Sequence, residues 1–267
     1  MKFIKTFAVL LFGFCLVLGV TVPGTAITDG HLDGNLHPEV VLIIMDIGGV
    51  PAYRCSGTLI APTFVLTAGH CAGEPGEFSG MRIFTESDVQ NGDNTYPWGG
   101  GPNSIEAVRF ASHPLYTSAG FFLHDVGMLE LAHPYVLDHY GQLPTQDQLD
   151  QLHSGSRQTE FTSVGYGLQQ VNSAFATGLR IRMYANPFLI QINTPGFTGD
   201  FSMLLSNNAN TGGTCFGDSG GPNFLGDSMV VAGVTSYGLN GACGGTGGVF
   251  RMDRGNVLDF VNGFMSA

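Results

Sequence analysis

Thr214-Cys215-Phe216-Gly217-Asp218-Ser219-Gly220-Gly221-Pro222 places one hydroxyl nucleophile in a run of glycines, beside an acid and a cysteine. Glycines on both sides of Ser219 permit backbone dihedrals that other residues avoid. They also leave room for a second backbone to approach closely. A serine nucleophile needs that freedom, because amide N–H groups must converge on one small volume to hold a developing oxyanion. Serine is a weak nucleophile alone and requires a general base within hydrogen-bond reach. Of the eight histidines, His70 in Leu66-Thr67-Ala68-Gly69-His70-Cys71 has the strongest context. The acid that would orient it is Asp125, in His124-Asp125-Val126-Gly127-Met128-Leu129-Glu130-Leu131.

Composition narrows the class. The chain has 267 residues, of which 40 are glycine, and charged residues make up 12%. That pattern, with many β-branched and aromatic residues, favours strands joined by tight turns. The formal net charge of −11 argues against a nucleic-acid partner. Lys2 and Lys5 precede an apolar run from Phe7 to Val22, and Pro23-Gly24-Thr25-Ala26 follows with small residues at Gly24 and Ala26. This is the pattern of a secretory signal peptide over residues 1–26, cleaved after Ala26. The apolar run is short for a membrane span, which takes about 20 residues. No lasting membrane association is expected after cleavage. Cys15 follows bulky Phe14, which argues against lipoprotein processing there.

Taken together, the Gly-Asp-Ser-Gly-Gly-Pro, Thr-Ala-Gly-His-Cys and Asp-Val-Gly-Met-Leu-Glu-Leu runs resemble the trypsin/chymotrypsin family of serine peptidases. The chain order His, Asp, Ser is that of chymotrypsin. The resemblance covers nearly everything after the first two dozen residues. It implies an all-β fold of two six-stranded antiparallel β-barrels with a C-terminal α-helix. One peptidase domain would span 27–267, with a first barrel at about 27–140, a second at about 157–255 and the helix at about 256–264. The four cysteines beyond Cys15 allow three pairings. Local spacing favours Cys55–Cys71 and Cys215–Cys243, and both match bridges of the family. Each closes a loop worth roughly 3 kcal/mol of chain entropy, and disulfides fit an exported protein.

The resemblance assigns roles to residues. His70, Asp125 and Ser219 form the catalytic set, and the N–H groups of Gly217 and Ser219 form the oxyanion hole. Gly213 stands at the base of the primary specificity pocket, Gly238 and Gly248 form its walls, and Ser236 supports Asp125 and pairs with substrate backbone. The expected pocket is uncharged and roomy, favouring large apolar or aromatic side chains over Arg or Lys. Ile27 would become the mature N-terminus and its ammonium would pair with Asp218. The expected product is a secreted, monomeric serine endopeptidase acting on proteins or peptides, extracellular or periplasmic, needing no metal or organic cofactor. The other readings are a catalytically inactive homologue that acts as a binding protein, and a Ser-dependent esterase.

Along the chain, strands are predicted at 39–47, 53–60, 63–67, 81–84, 105–110, 159–167, 180–185, 188–193, 229–236 and 247–251. A short helix capped by Thr145 is expected over 146–152, and the last helix starts with Asn256 as its cap. Residues 86–102 form an insertion before the catalytic Asp. Its Asp88, Asn91, Asp93 and Asn94 read as a solvated turn, since their spacing matches no calcium loop.

Overall fold

A computed structural model describes residues 27–153, 159–171 and 174–267; the signal-peptide expectation therefore lies outside the described residues. The apolar run at Val40 forms a strand buried at seven of its eight positions. A two-residue strand, β1 (His31–Leu32), precedes it. The first half then forms β2 (Val40–Ile47), β3 (Val50–Ala61), β4 (Phe64–Thr67), β5 (Gly80–Phe84), β6 (Ser104–Ser112) and β7 (Gly127–Leu131). These six close into a barrel in the order β2-β3-β4-β7-β6-β5. Closure leaves no strand edge unpaired. Inside it Leu59, Val65, Ile83 and Met128 are wholly buried.

The second half contains β8 (Phe161–Gly165), β9 (Gln170–Val171), β10 (Ala176–Thr177), β11 (Met183–Ala185), β12 (Leu189–Thr194), β13 (Gly199–Asn207), β14 (Pro222–Leu225), β15 (Val231–Gly238) and β16 (Gly245–Arg251). Here the structure differs from a second closed six-stranded barrel. β9 and β10 form a separate hairpin, and an eight-stranded sheet runs β1-β11-β8-β14-β15-β16-β13-β12, curved as a half-barrel. The strand β1 belongs to it although it lies in the N-terminal stretch, because His31 and Leu32 pair with Tyr184 and Met183. Ile27 is likewise buried against Met183 and Ala185 of that half.

Two helical details also differ from expectation. The terminal helix α2 runs Gly255–Ser266 behind Arg254, not Asn256. Val257, Val261 and Phe264 form its buried face, at the expected spacing. Near Thr145 only a short 3-10 helix forms, at Gln148–Gln151. The Gln148 carboxamide oxygen accepts the Thr145 N–H at 2.8 Å, so side chain and backbone exchange the expected capping roles. Among the described residues no helix is long and apolar enough to cross a membrane.

The halves are joined by a buried ion pair. Arg182 Nε donates to Asp33 at 2.7 Å, and its Nη1 donates to the Val40 carbonyl at 2.8 Å and to the Tyr166 hydroxyl at 3.1 Å. Both side chains of the pair are fully buried. Burial opposes ionisation of Asp33, but the hydrogen bond from His37 and the Arg182 charge outweigh it and hold the carboxyl below 3.8. Because the folded value is depressed, this contribution is present above pH 3.8 and is lost as pH falls through the lower folded value. Arg182→Ala strands the buried Asp33 charge. The expected loss is about 3–5 kcal/mol, read from urea unfolding at neutral pH; a loss below about 1 kcal/mol contradicts the assignment.

Candidate active site

The turn after β4 becomes the single-turn helix α1 (Gly69–Ala72), which carries His70. A Cβ at Gly69 would meet the Tyr116 ring and the backbone of His124 and Val126. The missing side chain lets α1 lie against the segment entering β7. His70 then bonds twice to Asp125: its backbone N–H donates to Oδ1 at 2.9 Å, and its ring Nδ1 lies 2.9 Å from Oδ2. Asp125 is fully buried and also accepts from the Ser236 hydroxyl at 2.6 Å. Burial opposes charging of the His70 ring, but the charge of Asp125 and its hydrogen bond raise the ring above the usual 6.5. Nδ1 is committed to Asp125, so Nε2 is the nitrogen left for chemistry.

Ser219 is brought to the same place from the second half. Its carbonyl accepts the Ser56 N–H at 2.8 Å, and the next residue, Gly220, donates to the Thr235 carbonyl at 2.8 Å. These bonds fix the nucleophile loop onto β3 and β15. Disulfides Cys55–Cys71 and Cys215–Cys243 clamp the base of α1 and the loop itself. His70 and Ser219 both line a cavity of about 520 Å³. No hydrogen bond joins their side chains among the described residues; such contacts tighten when substrate is bound. Gly217 has φ +96°, a conformation glycine adopts without strain. Its N–H and that of Ser219 donate to no other described group.

The other expected site residues divide. Ser236 and Gly238 line the cavity. Gly213 and Gly248 lie behind it. A Cβ at Gly213 would fall within the Asn207 carboxamide, and one at Gly248 within the Tyr237 ring. Asn207 and Tyr237 line the cavity in their stead, with Tyr116, Phe121 and Thr246 also facing it. None of these five was assigned from the sequence. The one local signal was the aromatic pair Phe121-Phe122 just before His124-Asp125. Phe121 packs edge-on against His70, ring centres 5.9 Å apart, and Phe122 stacks on Phe197 at 4.4 Å.

Ile27 and Asp218 are both fully buried, and the Ile27 side chain packs on Met183 and Ala185. The Asp218 carboxylate accepts the N–H of Gly167 at 2.7 Å and of Cys215 at 2.9 Å. Burial pushes its carboxyl up to about 7, against the lowering effect of those N–H groups and of the Arg54 charge. In the 86–102 loop the Glu86 carboxylate accepts from the Asp93 N–H at 2.6 Å and the Asn103 amide at 3.0 Å. Amide donors therefore face that carboxylate where a calcium site needs further oxygens. Cys55, His70 and Cys71 come together among the described residues, but their sulfurs are joined to each other.

Comparison with known proteins agrees with this geometry. The Trypsin family model matches residues 35–256. Chymotrypsin-like elastase family member 1 of Canis lupus familiaris is 26% identical over 212 residues, 76% of this chain and 77% of the relative. Venom serine protease Bi-VSP of Bombus ignitus is 29% identical over 79% of this chain and 59% of its own length. The inactive CLIP domain-containing serine protease A8 of Anopheles gambiae is 29% identical over 70% of this chain and 52% of its own. The solved structure of HL collagenase superposes with a TM-score of 0.71 at 23% identity, covering 90% of this chain and 99% of that one. With the family model spanning most of the chain and a paired His70 and Asp125 facing Ser219 across one cleft, this chain belongs to the trypsin family of serine proteases.

Proposed function

We propose that the protein is an active, exported serine endopeptidase. The observation that carries this reading is the hydrogen-bonded series Ser236, Asp125, His70, which ends in the cavity that Ser219 also lines, with the Gly217 and Ser219 N–H groups unpaired among the described residues. Ser219 Oγ attacks the scissile carbonyl, His70 Nε2 takes its proton and later gives it to the leaving amine, and Asp125 holds the ring in the Nδ1–H tautomer. The Gly217 and Ser219 amides hold the oxyanion. One relative carries an inactive name, yet all three catalytic side chain types are present in this chain. The two disulfides support passage through an oxidising compartment.

Export itself completes the site in this reading. Cleavage after Ala26 would free the amine of Ile27, and the buried Asp218 carboxylate is the charge that amine would meet. An acid whose folded pKa is raised from 3.8 to about 7 contributes stability fully present below 3.8 and lost as pH rises toward 7. An adjacent ammonium favours the ionised form and removes that loss. A chain starting at Ile27 is therefore expected to hold its melting temperature from pH 4 to 7 and to cleave internal bonds of a peptide library. The precursor loses stability over the same range and cleaves at least about tenfold more slowly, equivalent to about 1.4 kcal/mol. Equal activity and equal pH profiles for the two chains contradict the processing step. Ester turnover without any peptide cleavage by the processed chain contradicts the peptidase reading itself.

A further inference from the structure

Asn207 ends β13, a residue the activity above leaves without a role, yet its side chain lines the cavity that holds His70 and Ser219 and packs over Gly213, the expected base of the primary pocket. It is 2% exposed. Its carboxamide is fixed at both ends: Nδ2 donates to the Thr214 carbonyl at 2.8 Å, and Oδ1 accepts the Thr28 hydroxyl at 2.9 Å. The Thr28 hydroxyl also lies 3.2 Å from the Gly213 carbonyl, and the Gly213 N–H donates to the Thr28 carbonyl at 3.0 Å. The N-terminal segment is thus stitched across the back of the pocket, and one side-chain bond passes through it to the pocket floor. Gly213 can carry no side chain, because the carboxamide already fills that place.

We propose that Asn207, positioned by Thr28, sets the primary specificity of this site for uncharged side chains; the proposal rests on the peptidase reading above. A neutral amide with one donor and one acceptor already engaged offers no counter-charge to a Lys or Arg side chain. Burying a cation against it is costly. The surrounding Thr214, Thr246 and Gly238 add no charge either. An apolar side chain loses nothing at such a floor and gains from leaving water.

The test compares the processed wild type with Asn207→Asp, Thr28→Val and Thr28→Ser on matched peptides carrying Leu, Phe, Lys or Arg before the scissile bond. The carboxylate of Asn207→Asp occupies the same floor, so the ratio of Arg or Lys cleavage to Leu cleavage should rise at least tenfold. Thr28→Val frees the floor without removing it. It should raise KM for the Leu and Phe peptides several-fold while changing kcat little, and Thr28→Ser should restore KM. An Arg-to-Leu ratio in Asn207→Asp within twofold of wild type overturns the proposal, as does an unchanged KM in Thr28→Val. If Asn207→Asp fails to fold, the two Thr28 variants alone carry the decision by the same KM criterion. A wild type that cleaves none of the peptides and ignores a serine-directed phosphonate overturns the peptidase reading, whereas an active wild type with indifferent variants overturns only the role of Asn207.

Discussion

Ser219→Ala lowers kcat by about a millionfold, the scale seen when the nucleophile of a serine triad is removed, and leaves the fold intact. The hydroxyl makes no hydrogen bond to any described group, so its loss strands no partner. What holds the loop is backbone: the Ser219 carbonyl to Ser56 and the Gly220 N–H to Thr235. Those bonds and the Cys215–Cys243 bridge survive the substitution. Thermal unfolding followed beside peptide hydrolysis separates the two effects. Near-normal hydrolysis by Ser219→Ala, or a collapse of the fold that accounts for lost activity, contradicts the assignment of the nucleophile.

The second large effect is Asp125→Asn, with an expected fall of about ten-thousandfold in kcat near neutral pH. Asp125 accepts three hydrogen bonds, from the His70 backbone, the His70 ring and Ser236. A carboxamide has one acceptor oxygen, and keeping it at the Oδ1 place, where it accepts the His70 backbone N–H, turns the N–H₂ toward both the His70 ring and the Ser236 hydroxyl. Facing the ring, it selects the tautomer with the proton on Nε2, which cannot take the serine proton. The pH profile moves as well. His70 must be neutral to act as a base, and in the wild type its folded value lies above 6.5, so kcat/KM rises with pH through an acid limb above 6.5. Burial alone lowers a histidine. Without the Asp125 charge, the acid limb of Asp125→Asn shifts to lower pH. An acid limb unmoved by this substitution shows that Asp125 does not carry the charge facing His70.

These side chains were legible in the sequence because each sits in a local motif whose geometry the backbone carries with it. The small residues around His70 and Ser219 mark places where two chain segments must touch, as the contact of Gly69 with the Tyr116 ring illustrates. The first barrel was legible strand by strand, since continuous apolar runs such as 40–45 bury on both faces. The second half was read less completely. β13 was missed because Phe201-Ser202-Met203-Leu204-Leu205-Ser206 lacks clean alternation, although it is held between β12 and β16. β14 was hidden because Pro222 opens it directly behind the glycines of the nucleophile loop.

Asn207 falls outside every strand expected from the sequence, because the Asn208, Ala209 and Asn210 that follow it favour a turn. Its place at the pocket floor depends on a partner 179 residues away and on pairing with Gly245. No local pattern encodes either. The same holds for Phe121, whose short 3-10 segment, Ser118–Leu123, has no periodicity, yet whose ring meets His70 only after α1 and β7 have packed together. The residues proposed for the chemistry were visible in short motifs, while residues that shape the cavity emerged from long-range pairing.

The most direct test of the central claim is covalent labelling of the processed chain with a fluorophosphonate, read by intact mass and by mapping of the modified peptide. The account predicts one adduct, on Ser219, whose formation slows by orders of magnitude in His70→Ala while that variant remains folded. No adduct on a folded wild type, or labelling centred on another serine such as Ser236, contradicts it.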